Sequence, residues 1–233
     1  MKDNMPEHVA IIMDGNSRWA LKNQKNILSA YQQGIKVAGE IIIHAKDLGI
    51  KYLTLFVFST ENWNRPKNNI KIIMNLLRYY LINDIKALIN QKISINFIGN
   101  LARLDPDIQN CMNKIRLDSK EHPFKLRLAI SYGGRDEIIR SLITFLKKYP
   151  NPKFLDDLKQ VENKFSFIIN PDKIPDPELL IRTSGEYRLS NFLLWQLAYT
   201  ELIFIKKFWP DFNIEDFNYA MNKFSVRNRR FGT

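Results

Sequence analysis

Thiols, histidines and long apolar runs are all scarce in this sequence, and each scarcity closes off a class of function. One cysteine, Cys111, stands among 233 residues. No disulfide can form within the chain, which points to a reducing compartment, the cytoplasm. Cys111 itself reads as a small apolar residue on a helix. The three histidines, His8, His44 and His122, have no metal-ligand spacing and no nucleophile partner. That excludes a histidine-built zinc site and a Ser–His–Asp triad. No GxxxxGK[ST] occurs and no GxGxxG follows a strand, so neither a P-loop nor a dinucleotide fold is expected. No run reaches the roughly 18 apolar residues that a membrane-spanning helix needs. The first residues carry charges of both signs and no cleavage pattern, so no signal peptide is expected. Internal repeats, low-complexity tracts and a second-domain boundary are missing too, and 1–233 reads as a single domain.

What the chain has in excess is positive charge. Thirty-five Lys and Arg face 24 Asp and Glu, a net +11. The expected partner is anionic: nucleic acid, an acidic membrane surface or a phosphorylated substrate. An apolar content of 45% over this length suffices for one domain with a substantial core.

Periodicity gives the fold class. Short β-branched runs predict strands over 9–13, 52–58, 93–98, 124–130 and 178–181. Helical spacing predicts helices over 29–48, 70–90, 106–117, 136–148, 154–164 and 214–224, with Gly49 ending the first of them. Residues 20–27 read as loop and 149–153 as a linker. The alternation predicts an α/β domain, mainly a parallel sheet flanked by helices. The helix over 70–90 is apolar over a broader face than one sheet contact requires, so it is expected to line an apolar cavity.

Four strands open into polar residues. The first gives Asp14-Gly15-Asn16-Ser17-Arg18, the second Ser59-Thr60-Glu61-Asn62-Trp63-Asn64-Arg65, with an exposed-looking tryptophan. The fourth gives Ser131-Tyr132-Gly133-Gly134-Arg135. The fifth gives the densest cluster, from Arg182 through Arg188 and Ser190 to Asn191. In an open parallel sheet, ligands bind outside the carboxyl ends of the strands. Glycine, backbone N–H groups and arginine forks suit diphosphate oxygens, and Asp14 suits a divalent metal. By itself Glu201 reads as a helix-end or surface residue.

The segments HVAIIMDGNSRWA, LTLFVFSTENWNRP, SYGGRDEI, LLIRTSGEYRLSNFLLWQLAYTEL, WPDF and RNRRFG, in this order, resemble the cis-prenyltransferase family, specifically the bacterial undecaprenyl diphosphate synthases. The resemblance runs from residue 8 to residue 232. It implies a dimeric α/β fold with an apolar tunnel beside the sheet. It also implies Mg²⁺-dependent condensation of isopentenyl diphosphate onto an allylic diphosphate such as farnesyl diphosphate. The product would be a long polyprenyl diphosphate, the lipid-carrier precursor of cell-wall synthesis. By resemblance, Asp14 is the essential carboxylate and binds Mg²⁺ with Glu201. Gly15, Asn16, Ser17 and Arg18 cradle the allylic diphosphate, with Trp19 near its first isoprene. Ser59 and Asn62 assist proton removal, and Thr60, Glu61, Trp63 and Arg65 shape that wall. Arg182, Arg188, Leu189 and Ser190 bind isopentenyl diphosphate. The C-terminal arginines form a dimer-interface and active-site tail. The enzyme is expected in the cytoplasm, with transient contact at the inner face of the membrane.

The chain also departs from the family pattern. Ile27 and Tyr31 stand where an arginine and a histidine are usual, and Gln24 where a glycine is usual. Loss of these groups is expected either to weaken binding of the allylic substrate or to be made good by Lys22 or Lys25. Tyr187 stands where some members have a histidine. Phe124 is expected near the tunnel floor, shortening the product. Two other readings compete: a non-catalytic subunit of a two-component prenyltransferase, and a nucleic-acid binder. The first would explain Ile27 and Tyr31 but not Asp14, Asn62, Arg182, Arg188 and Glu201 together. The second rests on charge and the tail alone, without a basic and aromatic stripe, so no nucleic-acid partner is expected.

Overall fold

The computed structural model describes residues 5–150 and 154–227. In chain order the elements are β1 (His8–Ile12), α1 (Asn16–Lys22), α2 (Ile27–Asp47), β2 (Tyr52–Ser59), α3 (Lys67–Asn83), α4 (Ile85–Asn90) and β3 (Ile93–Ile98). There follow α5 (Pro106–Asp118), β4 (Phe124–Tyr132), α6 (Gly134–Lys148), α7 (Leu158–Ile169), β5 (Leu179–Arg182), β6 (Glu201–Phe204) and α8 (Ile214–Ser225). Six parallel strands form one sheet in the order β3-β4-β2-β1-β5-β6. The four strands with polar mouths, β4, β2, β1 and β5, are therefore consecutive, and their carboxyl ends form one continuous edge.

The core explains why β1 reads as an unbroken apolar run. Val9 and Ile11 pack on one face with Leu53, Leu55 and the helices α2, α5 and α8. Ala10 and Ile12 pack on the other with Tyr132, Leu180 and Phe192. All five β1 residues are buried, and each large apolar side chain contributes about 1.5–3 kcal/mol. His8 serves the same end. Burial pushes its imidazole down to about 3, so the ring is neutral. Its Nδ1 lies 2.6 Å from the Pro175 carbonyl and its Nε2 2.8 Å from Thr54 Oγ1, which ties the approach to β5 onto the sheet.

Several expected boundaries move. The loop expected over 20–27 is confined to 23–26: α1 runs to Lys22, and α2 starts at Ile27, where Asn26 Oδ1 accepts from the Ser29 N–H. The helix expected over 70–90 is two, α3 and α4, broken at Asp84, whose N–H still bonds Tyr80. The helix expected over 154–164 begins at Leu158, because Asp157 caps it by accepting from Gln160 N–H. β6 is a sixth strand, with Glu201 at its start rather than at a helix end. Residues 151–153 of the expected linker and the tail arginines beyond Arg227 lie outside the described residues.

Candidate active site

β1 stops at a tight corner. Gly15 has φ +109, and a Cβ there would lie 2.8 Å from the Phe208 ring, so glycine is required both by backbone conformation and by space. The corner starts α1 at once, leaving the N–H groups of Asn16, Ser17 and Arg18 without intrahelical acceptors. Thr183 locks this corner to the end of β5. Its Oγ1 donates to the Asp14 carbonyl at 2.8 Å and lies 2.9 Å from the Asp14 N–H.

A charged network then fills the edge. Arg182 is only 3% exposed. Its Nη2 donates to Asp14 Oδ2 at 2.8 Å, and its Nη1 to Ser190 Oγ at 2.8 Å and to the Arg188 carbonyl. Arg18 approaches the same Asp14 oxygen at 3.4 Å and donates to Glu186 Oε1 at 2.5 Å. Arg188 also binds Glu186. Its hydrogen bond, and then that of Arg18, hold the Glu186 carboxyl below the usual range. The loop that carries these groups is strained. Ser184, Ser190, Asn191 and Leu193 have positive φ, as does Ser131 facing it from β4. Such outliers persist where surrounding structure over-determines them, which is characteristic of sites.

The wall from β2 is built by a reciprocal cap. The Ser59 N–H donates to Asn62 Oδ1 at 3.1 Å while the Ser59 side chain accepts from the Asn62 N–H. Asn62 is thus fixed in place with its amide nitrogen uncommitted among the described residues. Glu61 Oε1 accepts from Asn191 Nδ2 at 2.8 Å. Burial works to raise the Glu61 carboxyl, but the bond from Asn191 and further local hydrogen bonds bring it below the usual range. Arg65 Nη1 donates to Tyr31 OH at 2.8 Å.

These groups surround the mouth of one cavity of about 990 Å³. Asp14, Gly15, Asn16, Ser17, Arg18, Ser59, Glu61, Asn62, Arg65, Arg182 and Ser190 all line it. Beyond them the walls are apolar: Ile35, Ala38 and Ile42 of α2, Leu55 and Val57 of β2, and Ile73, Leu76, Leu77 and Leu81 of α3. The broad apolar face of α3 and α4 is the cavity wall anticipated for 70–90.

Other expected residues sit elsewhere. Trp19 does not line the cavity; its Nε1 donates to Asp211 Oδ1 at 2.6 Å and anchors α1. Trp63 is half-buried rather than exposed. It packs edge-on against Phe58, lies beneath Arg103, and donates to Ser131 Oγ at 2.9 Å, so it braces the wall from behind. Thr60 abuts Gly133, and Leu189 packs on the opposite sheet face. Arg188 projects beside the mouth rather than lining it. Neither Lys22 nor Lys25 lines the cavity; Tyr31 and Lys36 do. Asn191 and Thr183 carry much of the site's wiring; they fall inside the polar cluster after β5, but their positioning role follows only from the fold.

Phe124 is not the floor. It is buried in the core one pleat below Leu126, which does line the cavity together with Leu128. If the cavity holds a growing apolar chain, Ala38→Phe shortens the longest product, while Phe124→Leu leaves its length unchanged. Product sizing by reversed-phase chromatography reads both.

The structure does not bring Glu201 to Asp14. Glu201 pairs with Leu179, three residues before Arg182, whereas Asp14 lies two residues beyond Ile12, the partner of Arg182. At about 3.3 Å per residue that separates them by well over 10 Å. Glu201 binds Arg227 instead. Among the described residues no group of three or more His, Cys, Asp or Glu could cage a metal. The donors that are present suit a different arrangement. Asp14 Oδ1 has no partner among the described residues, and the buried Asn16 Oδ1 in the same cavity is also unpartnered. Mg²⁺ binds through one or two carboxylates plus substrate phosphates and keeps several waters. One free carboxylate oxygen at the mouth of a diphosphate cradle fits that requirement.

Comparison with known proteins gives the same picture. Residues 12–232 match the family described as "Putative undecaprenyl diphosphate synthase". The isoprenyl transferase of Aquifex pyrophilus is 46% identical, over 100% of this chain and 98% of its own length. The (2E,6E)-farnesyl-diphosphate-specific ditrans,polycis-undecaprenyl-diphosphate synthase of Micrococcus luteus is 41% identical, over 98% of this chain and 92% of its own. The crystal structure of lavandulyl diphosphate synthase from Lavandula x intermedia, in complex with dimethylallyl diphosphate, superposes with a TM-score of 0.92 at 33% identity, covering 99% of this chain and 100% of that one. By its sequence, its sheet order, its arginine–carboxylate edge and its apolar cavity, this chain belongs to the cis-prenyltransferase family of undecaprenyl diphosphate synthases.

Proposed function

We propose that this protein condenses isopentenyl diphosphate units onto an allylic diphosphate, farnesyl diphosphate, to make undecaprenyl diphosphate, the lipid-carrier precursor of cell-wall synthesis. One observation carries the reading: a cluster of arginines and a carboxylate closes one end of a 990 Å³ cavity whose remaining walls are apolar. Such a cavity matches a molecule with a diphosphate head and a hydrocarbon tail. The farnesyl diphosphate named for the Micrococcus luteus relative supplies the starter.

In the reaction the allylic C–O bond breaks, a new C–C bond forms to isopentenyl diphosphate, and a proton leaves that unit. The N–H groups of Asn16, Ser17 and Arg18 and the Arg18 guanidinium face the departing diphosphate and stabilise the charge it gains. Arg182, Arg188 and Ser190 hold the isopentenyl diphosphate. Asp14 is the residue that would hold Mg²⁺, which when bound neutralises diphosphate charge. Asn62, fixed by its cap to Ser59, orients the condensing unit; an amide is a poor base, so the proton passes to a diphosphate oxygen. The apolar cavity excludes water from the allylic carbon and receives the growing chain. The Glu201 metal role does not enter this reading, because Glu201 lies toward the other end of the sheet.

The protein acts as a homodimer in this reading. On α6, Ile139, Leu142, Ile143 and Leu146 are about half exposed at helical spacing, a stripe that a second copy would cover. The net charge of +11 supports cytoplasmic enzyme meeting the inner, anionic face of the membrane. A silent-subunit reading is not favoured, since the Asp14–Arg182–Ser190 network is fully assembled. Incorporation of labelled isopentenyl diphosphate onto farnesyl diphosphate, with the product sized, tests the proposal.

A further inference from the structure

Tyr31 and Arg65 come from opposite walls of the cavity mouth, α2 and the turn after β2, and meet in a 2.8 Å hydrogen bond. Both line the cavity. Arg65 is exposed, and its guanidinium makes no other hydrogen bond among the described residues. An exposed arginine samples many rotamers, and fixing it in one costs entropy. The phenol oxygen of Tyr31 is what holds it. Tyr31 is itself placed by packing. One turn further along α2, Gly34 lies so close to the β1 corner that a Cβ would come within 2.7 Å of Asn16 Oδ1. The Gly34 carbonyl also accepts from Trp209 Nε1 at 2.8 Å. This stretch of α2 is therefore pressed against the residues that cradle a diphosphate.

We propose that Tyr31 is a positioning residue: its hydroxyl pins the Arg65 guanidinium across the cavity mouth, where it adds a fixed positive charge for the allylic diphosphate. This rests on the reaction proposed above. It fixes a cation at the mouth where Ile27 supplies none, since Lys22 and Lys25 do not line the cavity.

The test is steady-state kinetics on the full chain with Tyr31→Phe, Arg65→Gln and the Tyr31→Phe/Arg65→Gln double variant. Tyr31→Phe keeps the ring and removes only the acceptor. It should raise KM for farnesyl diphosphate about tenfold, the scale of one hydrogen bond to a charged group. It should leave kcat and KM for isopentenyl diphosphate within about twofold. Arg65→Gln should show at least the same rise, and the double variant should be no worse than Arg65→Gln alone, because the two residues act as one unit. An unchanged KM in Tyr31→Phe, or additive effects in the double variant, would overturn the proposal. Calorimetric binding of unreactive farnesyl thiodiphosphate separates it from the function itself. No turnover by the wild type, with binding weakened about tenfold by Tyr31→Phe, would remove the reaction and leave the strut. Full turnover with equal binding by wild type and Tyr31→Phe would do the reverse.

Discussion

Asp14→Asn should reduce kcat about 10³-fold while the protein stays folded. Asparagine keeps the size of the side chain and can still accept the 2.8 Å hydrogen bond from Arg182, so the melting temperature should fall by only a few degrees. What it removes is the negative charge. Among the described residues Asp14 keeps an uncommitted oxygen at the cavity mouth, so in the proposed reaction its loss withdraws the anchor for Mg²⁺. Preorganised groups of this kind contribute about 10²–10³ in rate when a single one is removed. In the proposed reaction the charge of Mg²⁺ would go with it, which places the expected loss at the upper end. If the loss appears in kcat with KM for farnesyl diphosphate nearly unchanged, Asp14 acts in the transition state. Raising Mg²⁺ should recover little, since the ligand itself is missing.

The second large effect is at Arg182. Its fork makes three bonds at once, to Asp14, Ser190 and the Arg188 carbonyl, from a position almost wholly buried. Lysine keeps the charge but not the planar fork, so Arg182→Lys should cost about 10²-fold in kcat/KM for isopentenyl diphosphate. Arg182→Ala removes the charge that faces Asp14 and should cost more, with about 2–4 kcal/mol of stability lost in urea unfolding. That is somewhat less than for a fully buried pair, because Asp14 keeps some solvent contact and a second cation in Arg18. A small, uniform loss in both variants would mean that Arg182 is scaffolding only.

Much of this architecture is legible in the residues, for a physical reason. A parallel strand buried on both faces has to be an unbroken apolar run, and its end has to be a change to polar chemistry. That is why β1 to β5 and the clusters after β1, β2, β4 and β5 stand out, and why their convergence on one edge can be anticipated. β6 is harder to see because four residues, ELIF, follow an irregular apolar stretch and carry no turn residue of their own. α1 hides behind Asp-Gly-Asn-Ser, which is turn chemistry until Gly15 at φ +109 starts a helix from it. The break at Asp84 has no glycine or proline to mark it. Within the site, tryptophans mislead. A tryptophan in a polar loop looks the same whether it faces a ligand or anchors the loop, and Trp19 and Trp63 both anchor. Phe124 misses the cavity by a single pleat, a distance that no pattern resolves. Tyr31 reads as a loss because its partner, Arg65, is 34 positions away in sequence.

The most direct test of the account is incorporation of radiolabelled isopentenyl diphosphate onto farnesyl diphosphate by the purified full chain, with Mg²⁺ and with chelator, followed by product sizing. The account predicts a long-chain product of undecaprenyl length that requires Mg²⁺ and is lost in Asp14→Asn. A folded protein that makes no extended product at saturating concentrations of both substrates, or whose product forms equally in chelator and in Asp14→Asn, would contradict it.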